Sequence, residues 1–237
     1  MIYYFGDSHT AGIGYQGCPN SDKFEPHIPY SYYLTEMLKM KSKNLARPGR
    51  NFILNVGDLI SNLSEIESRA KLVIFQTQNF CNPLLRFDKF SPDESLMNLV
   101  VTSYLLNKNP DANKLVDAHF SEKDKETMIN WSLKFEENRS YYEYEYIVNI
   151  FRFLTKKGIQ CKILNWTWAH TIKLPENEFV FNLNGNWNAL NFFNKNMKVI
   201  TITQETNGEW EDGHTTNKCN RKLAKVLLKE LDLKKLH

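Results

Sequence analysis

The chain has no long apolar run, no close pair of cysteines and no strong excess of either charge. Each lack excludes something. A membrane-spanning helix needs roughly 18 or more apolar residues in a row, and no stretch comes near that. Thirty lysines and arginines stand against 27 aspartates and glutamates, a formal net charge of +3. Much of the basic excess sits in the last helical stretch, so it is no nucleic-acid footprint. The four cysteines (Cys18, Cys81, Cys161 and Cys219) lie far apart without a CxxC pair. They read as reduced thiols of a cytoplasmic protein, not as a disulfide framework or a zinc site. The opening residues lack a basic segment and a small-residue cleavage site, so no secretory signal is expected. Aromatic residues make up 13% of the chain, which with nearly balanced charge excludes a disordered segment. Richness in Asn and Lys fits an AT-rich genome, such as that of a phage or a low-GC bacterium.

The 237 residues are expected to form one domain. A chain of this length buries about 70–75% of the surface its unfolded form exposes, so it needs no covalent staples. Ile2 to Phe5 is a short apolar run ended by Gly6, the pattern of a strand buried on both faces. Tyr33, Leu34, Met37 and Leu38 recur at helix spacing and predict a helix over Tyr30 to Met40. A brief strand is expected at Asn44 to Ala46, stopped by Pro48-Gly49. A helix follows through Phe52, Val56, Leu59, Ile60 and Leu63, with Asn51 as its N-cap. Leu72 to Phe75 is the clearest central strand.

Residues from about 80 to 140 are interrupted by Pro83, Pro92 and Pro110 and predict an inserted or capping segment. Helical pieces are expected there around Leu96 to Leu106 and Lys114 to Trp131. Tyr141 to Lys157 predicts a strong helix with Gly158 just past its end. Ile159 to Trp166 and Val199 to Ile202 read as strands. Thr216 to Leu233 reads as an amphipathic helix that buries Cys219, Leu223, Val226, Leu227 and Leu231 and exposes a solvated basic face. Strands alternating with helices predict an α/β fold, a parallel sheet covered on both faces. Chemistry in such sheets sits at the carboxyl ends of the strands. This puts Gly6 to Thr10, Arg47 to Asn51 and Gln76 to Asn79 along one rim.

Two short blocks carry chemistry. Gly6-Asp7-Ser8-His9-Thr10 follows the first strand directly and offers a serine at a strand tip, where a nucleophile can lie beside backbone donors. Glu211-Asp212-Gly213-His214 precedes the last helix, and a carboxylate two or three residues before a histidine can orient it as a base. Taken singly, each block also reads as a turn with capping residues. His9 and His27 lie near Asp7 but lack metal-ligand spacing. Tyr141, Tyr142, Tyr144 and Tyr146 can either stack on sugar rings or divide between core and surface. Trp166 and Trp168 can either line a pocket at the rim or pack beneath the inserted segment.

Together the blocks resemble the SGNH hydrolases, also called the GDSL lipase/esterase family. The resemblance spans the chain through four short blocks and not through continuous similarity. It implies a three-layer flavodoxin-like fold and a serine esterase that needs no metal or cofactor. Ser8 matches the nucleophile and His214 the base. Gly49 matches the glycine whose backbone N–H completes the oxyanion hole. Asn79 matches the asparagine whose amide donates to the oxyanion. Two departures stand out. The third block reads Thr77-Gln78-Asn79-Phe80 where the family has Gly-x-Asn-Asp, leaving Gln78 or Asn82 as alternative donors. The carboxylate three residues before His214 is Glu211, while Asp212, two before it, is the preferred orienting group. The implied substrates are small or carbohydrate esters with short acyl groups, with no nucleic-acid or membrane partner. The same residues would also serve an O-acyltransferase. A catalytically silent domain that binds glycans or builds a virion is the alternative.

Overall fold

The computed structural model describes residues 1–12, 28–48, 52–77, 114, 117, 121–166, 178–185, 187, 189, 192, 215 and 217–236, with only the backbone described for residues 53 and 127–143. Four strands form one parallel sheet: β1 (Ile2–Phe5), β2 (Ser42–Asn44), β3 (Leu72–Gln76) and β4 (Gln160–Leu164), in the order β2-β1-β3-β4. β1 is therefore central, with Tyr4 level with Asn44 on one side and with Ile74 on the other. The order reverses direction between β1 and β3. In open sheets of this kind that reversal opens a crevice beyond the carboxyl ends of the two strands. Beyond β4, Val180 makes a single parallel bridge to Ile163 and extends that edge.

Six α-helices have both ends among the described residues, α1 (Ser8–Ala11), α2 (Tyr30–Leu38), α3 (Phe52–Ser61), α4 (Leu63–Arg69), α5 (Glu122–Lys156) and α6 (Asn217–Lys229), and a short 3-10 helix follows at Leu233–Lys235. The α-helices cover both faces of the sheet, as side-chain alternation along β1 makes plain. Ile2 and Tyr4 join a core with Leu34 and Leu38 of α2 and Leu223 and Leu227 of α6. Tyr3 and Phe5 join a second core with Phe52 and Leu59 of α3, Ile66 of α4, and Ile147, Phe151 and Leu154 of α5. Each fully buried aliphatic or aromatic side chain contributes about 1.5–3 kcal/mol by leaving water. Cys161 lies in the second core and Cys219 in the first, so the sheet separates them. Burial pushes the Cys161 thiol up to about 12, leaving it a small packed hydrophobe. Among the described residues no helix is long and apolar enough to cross a membrane.

Several boundaries differ from those expected. β2 is Ser42–Asn44, two residues earlier than Asn44 to Ala46; the strand is polar, so no apolar pattern marks its bounds, and among the described residues it pairs with β1 alone. The helix expected from Phe52 through Leu63 is broken at Asn62 into α3 and α4. The gap expected between helices at Lys114 to Trp131 and Tyr141 to Lys157 is absent: one helix of 35 residues, α5, runs across it, while Lys114 and Asp117 are helical ahead of its Ser121 cap. Its start is fixed by a capping box: Ser121 Oγ accepts from the Asp124 N–H, and Asp124 accepts from the Ser121 N–H. Past its end, Gly158 adopts φ 80°, a left-handed conformation that glycine reaches without penalty. The helix expected over Leu96 to Leu106, the strand at Val199 to Ile202 and the Asn51 cap lie outside the described residues.

Candidate functional site

The first strand delivers its successor sharply onto a helix. Gly6 is buried where β1 ends, and Asp7 caps α1 by accepting from the His9 N–H at 2.9 Å. Ser8 is thus the first residue of a four-residue helix at the strand tip, partly exposed. The turn has no room for a larger residue at position 6. A Cβ there would lie 2.5 Å from Thr10 Oγ1 and 2.9 Å from Gln76 Oε1. Glycine is required here by close approach.

A chain of buried and part-buried hydrogen bonds holds this turn. Thr10 donates its hydroxyl to Gln76 Oε1. Gln76 Nε2 donates to Asp7 Oδ1 at 2.8 Å, the oxygen that also accepts from His9. Tyr30 Oη lies 2.9 Å from Thr10 Oγ1. A hydroxyl has one proton, and that of Thr10 is already given to Gln76, so Tyr30 must be the donor. Burial holds the Tyr30 phenol far above its usual range, which keeps that proton in place. The Thr10 carbonyl accepts from Ser31 Oγ at 2.7 Å and Asn44 Nδ2 at 2.8 Å. Four elements, β1, β2, β3 and α2, therefore converge on residues 6–10.

The neighbouring strand tips are joined to the same place. Arg47 N–H donates to the Gly6 carbonyl at 3.2 Å, bringing the loop after β2 alongside. Thr77 Oγ1 donates to Asn165 Oδ1 and accepts from the Trp166 N–H at 3.0 Å. Trp166 is fully buried, and its ring stacks on His9 with centroids 4.2 Å apart. Trp166 is thereby seated against α1 at the residue after Ser8; the inserted segment beneath which it can alternatively pack lies, from residue 78 to 113, outside the described residues. Trp168 lies outside the described residues.

The start of the last helix reaches this region as well. Ile28 N–H donates to Asn217 Oδ1 at 2.8 Å, and Asn220 Nδ2 donates to the Ile28 carbonyl at 3.0 Å. Thr215 is buried and donates its hydroxyl to Asn220 Oδ1 at 2.6 Å. Ile28 is two residues from Tyr30, whose phenol binds Thr10. The amino end of α6 and the Ser8 turn thus grip the same end of α2.

Of the sequence-predicted site residues, Ser8 is described and sits as stated. Gly49, Asn79, Asp212 and His214 lie outside the described residues, as do the alternatives Glu211, Gln78 and Asn82. The described members of the expected rim, Gly6 to Thr10, Arg47 to Pro48 and Gln76 to Thr77, are brought together by the bonds above. Tyr144 is buried in the core and Tyr146 is 54% exposed, so the described part of the tyrosine cluster divides between interior and surface. The sequence reading missed Gln76, Thr10, Tyr30 and Asn44 as holders of the turn. One signal was available for Gln76: a polar residue closing an otherwise apolar central strand must find partners. No protein-family model and no curated protein matches the chain.

Proposed function

We propose that the chain is a serine ester hydrolase of the SGNH type that removes short acyl groups, such as acetyl, from a carbohydrate or similar small ester. One observation carries this reading. Ser8 opens a short, tightly held helix at the carboxyl end of β1, beside β3, where the strand order reverses. The order 2-1-3-4 agrees with the first four positions of a flavodoxin-like sheet, whose ligands lie at that reversal. The anchoring of Thr215 and Asn217 through Ile28 supports the pairing of Ser8 with His214, the residue just before Thr215 in the chain.

The chemistry follows from these residue types. Ser8 Oγ attacks the ester carbonyl carbon while His214 accepts the hydroxyl proton. The tetrahedral oxyanion is met by backbone N–H groups of Ser8 and Gly49 and by the Asn79 amide. Its collapse expels the alcohol, which takes the proton from His214, and leaves an acyl-serine. Water, deprotonated by His214, attacks that ester and releases the acid, restoring Ser8. Asp212 holds His214 in the required tautomer and stabilises its cationic form. Loss of one oxyanion donor lowers the rate about 10²–10³-fold. Loss of Ser8 or His214 costs more, because the group works as a unit.

Turnover of p-nitrophenyl acetate tests the reading. Wild type is expected to turn over, and Ser8→Ala and His214→Ala to fall to the background rate. Equal rates in wild type and Ser8→Ala would leave the silent, glycan-binding alternative.

A further inference from the structure

Ser8 is flanked by three clamped residues, and one side chain reaches both sides of it. Gln76 ends β3 and is fully buried. Its Oε1 accepts from Thr10, two residues after Ser8. Its Nε2 donates to Asp7, one residue before Ser8, on the same oxygen that receives the His9 N–H. It packs against the space left by the absent side chain of Gly6. We infer that Gln76 is a positioning residue for the nucleophile. It sets the orientation of the Ser8 turn from outside the turn, through Asp7 and Thr10. This inference rests on the hydrolase reading.

The chemistry of the position is demanding. It needs an acceptor facing Thr10 and a donor facing Asp7 in one planar group. An amide supplies both. Leucine supplies neither, leaving the buried Thr10 hydroxyl without its acceptor and the half-buried Asp7 without one of its donors. A carboxylate supplies the acceptor but sets a second negative charge against Asp7. A protonated carboxylic acid, however, has both a carbonyl acceptor and an O–H donor and reproduces the amide's pattern. Around Gln76 the titratable groups among the described residues are Asp7 and His9 at α1, Tyr30 on α2 and Tyr4 on β1. Burial keeps both tyrosines neutral through the ordinary pH range. Asp7, whose Oδ1 accepts from Gln76 Nε2 at 2.8 Å, is the group that a glutamate at 76 would meet directly.

The test uses Gln76→Leu and Gln76→Glu in the full chain. Active sites are counted by fluorophosphonate titration, so that loss of folded protein does not register as loss of rate. A displaced nucleophile lowers kcat by about 10–100-fold, since misplacement on the order of 1 Å costs about that much. KM for p-nitrophenyl acetate is expected to stay within about twofold of wild type, because Gln76 binds no substrate. The ratio of the Gln76→Glu rate to the wild-type rate is expected to climb as pH falls and the new side chain takes up a proton. Dividing by wild type at each pH removes the titration of the shared base. Exchange of the His9 amide hydrogen is expected to quicken in Gln76→Leu. Wild-type kcat per titrated site in both variants, with unchanged His9 exchange, overturns the positioning role and leaves the hydrolase reading intact. A rate ratio for Gln76→Glu that is depressed and stays equally depressed down to the lowest pH also overturns it, and decides the matter even where Gln76→Leu does not fold. Turnover that survives Ser8→Ala overturns both.

Discussion

Tyr3 and Tyr4 are neighbours on β1 with opposite surroundings. Tyr3 faces the core of α3, α4 and α5, and its hydroxyl donates to Glu65 Oε1 at 2.9 Å. Glu65 in turn binds Lys43 at 2.6 Å and lies 3.8 Å from Arg69. Tyr4 faces the core of α2 and α6; its hydroxyl meets Thr35, and its ring meets Tyr30 edge-on. From Tyr30 the polar contacts run through Thr10 and Gln76 to Asp7. One side of the strand thus ends in a charged, partly exposed cluster; the other runs through the buried, uncharged side chains of Tyr30, Thr10 and Gln76 to the half-buried Asp7 beside Ser8. The difference is one of tolerance. Partly exposed charges exchange protein partners for water at little cost. Buried neutral groups have no such substitute, and each lost partner is felt. The fold places its adaptable polar contacts away from the candidate site and its unforgiving ones beneath it.

The largest effect is expected where the buried network meets the backbone. Gly6→Ala forces a methyl group against Thr10 and Gln76 and should destabilise by about 1–3 kcal/mol, as overpacking does. Chemical denaturation measures it, and a variant as stable as wild type would show that the turn has slack. A smaller effect is expected from Tyr30→Phe, about 1 kcal/mol for the lost donor to Thr10. Its alkaline behaviour is the sharper readout. The folded phenol titrates above the unfolded one, so its contribution is complete below about pH 10 and is lost as pH rises beyond. Tyr30→Phe should therefore soften the alkaline loss of stability seen in wild type, and melting temperatures from pH 8 upward would reveal it.

The least effect is expected on the charged side. The Lys43 ammonium, and then the Tyr3 hydroxyl, hold the Glu65 carboxyl below the usual carboxylate range. A depressed folded value means that stability is present above the unfolded value and is lost as pH falls through the folded one. Glu65→Gln should then be slightly less stable than wild type at neutral pH. The gap should close in acid and shrink in high salt. A gap that persists at low pH would mean that Glu65 acts by packing and not by charge.

The fold was legible wherever burial leaves a run or a stripe. β1 and β3 follow from unbroken apolar runs buried on both faces, β4 from alternation and α6 from a stripe near period 3.6, because those residues face a core. β2 was displaced because Ser42, Lys43 and Asn44 carry no such pattern. The start and the continuity of α5 were also obscure: helices were expected over Lys114 to Trp131 and Tyr141 to Lys157, but Glu122, Lys123, Asp124 and Lys125 carry no apolar stripe, and only the Ser121 capping box marks the start. The site divides in the same way. Ser8 stands out because a Gly-Asp-Ser sequence follows a buried strand. Gln76, Thr10, Tyr30 and Asn44 do not, because their work is done across 20 to 69 residues of chain. No local pattern encodes such a bond until the strand order is known. Seen afterwards, the one polar residue closing β3 was the clue.

The central claim is that the Ser8 turn presents a nucleophile. Its most direct measurement is the reaction of the folded chain with a fluorophosphonate, followed by intact mass and peptide mapping. The account predicts one adduct, on Ser8, formed in wild type and absent from Ser8→Ala and His214→Ala. A folded protein that remains unmodified, or one modified elsewhere while Ser8 stays intact, would contradict it.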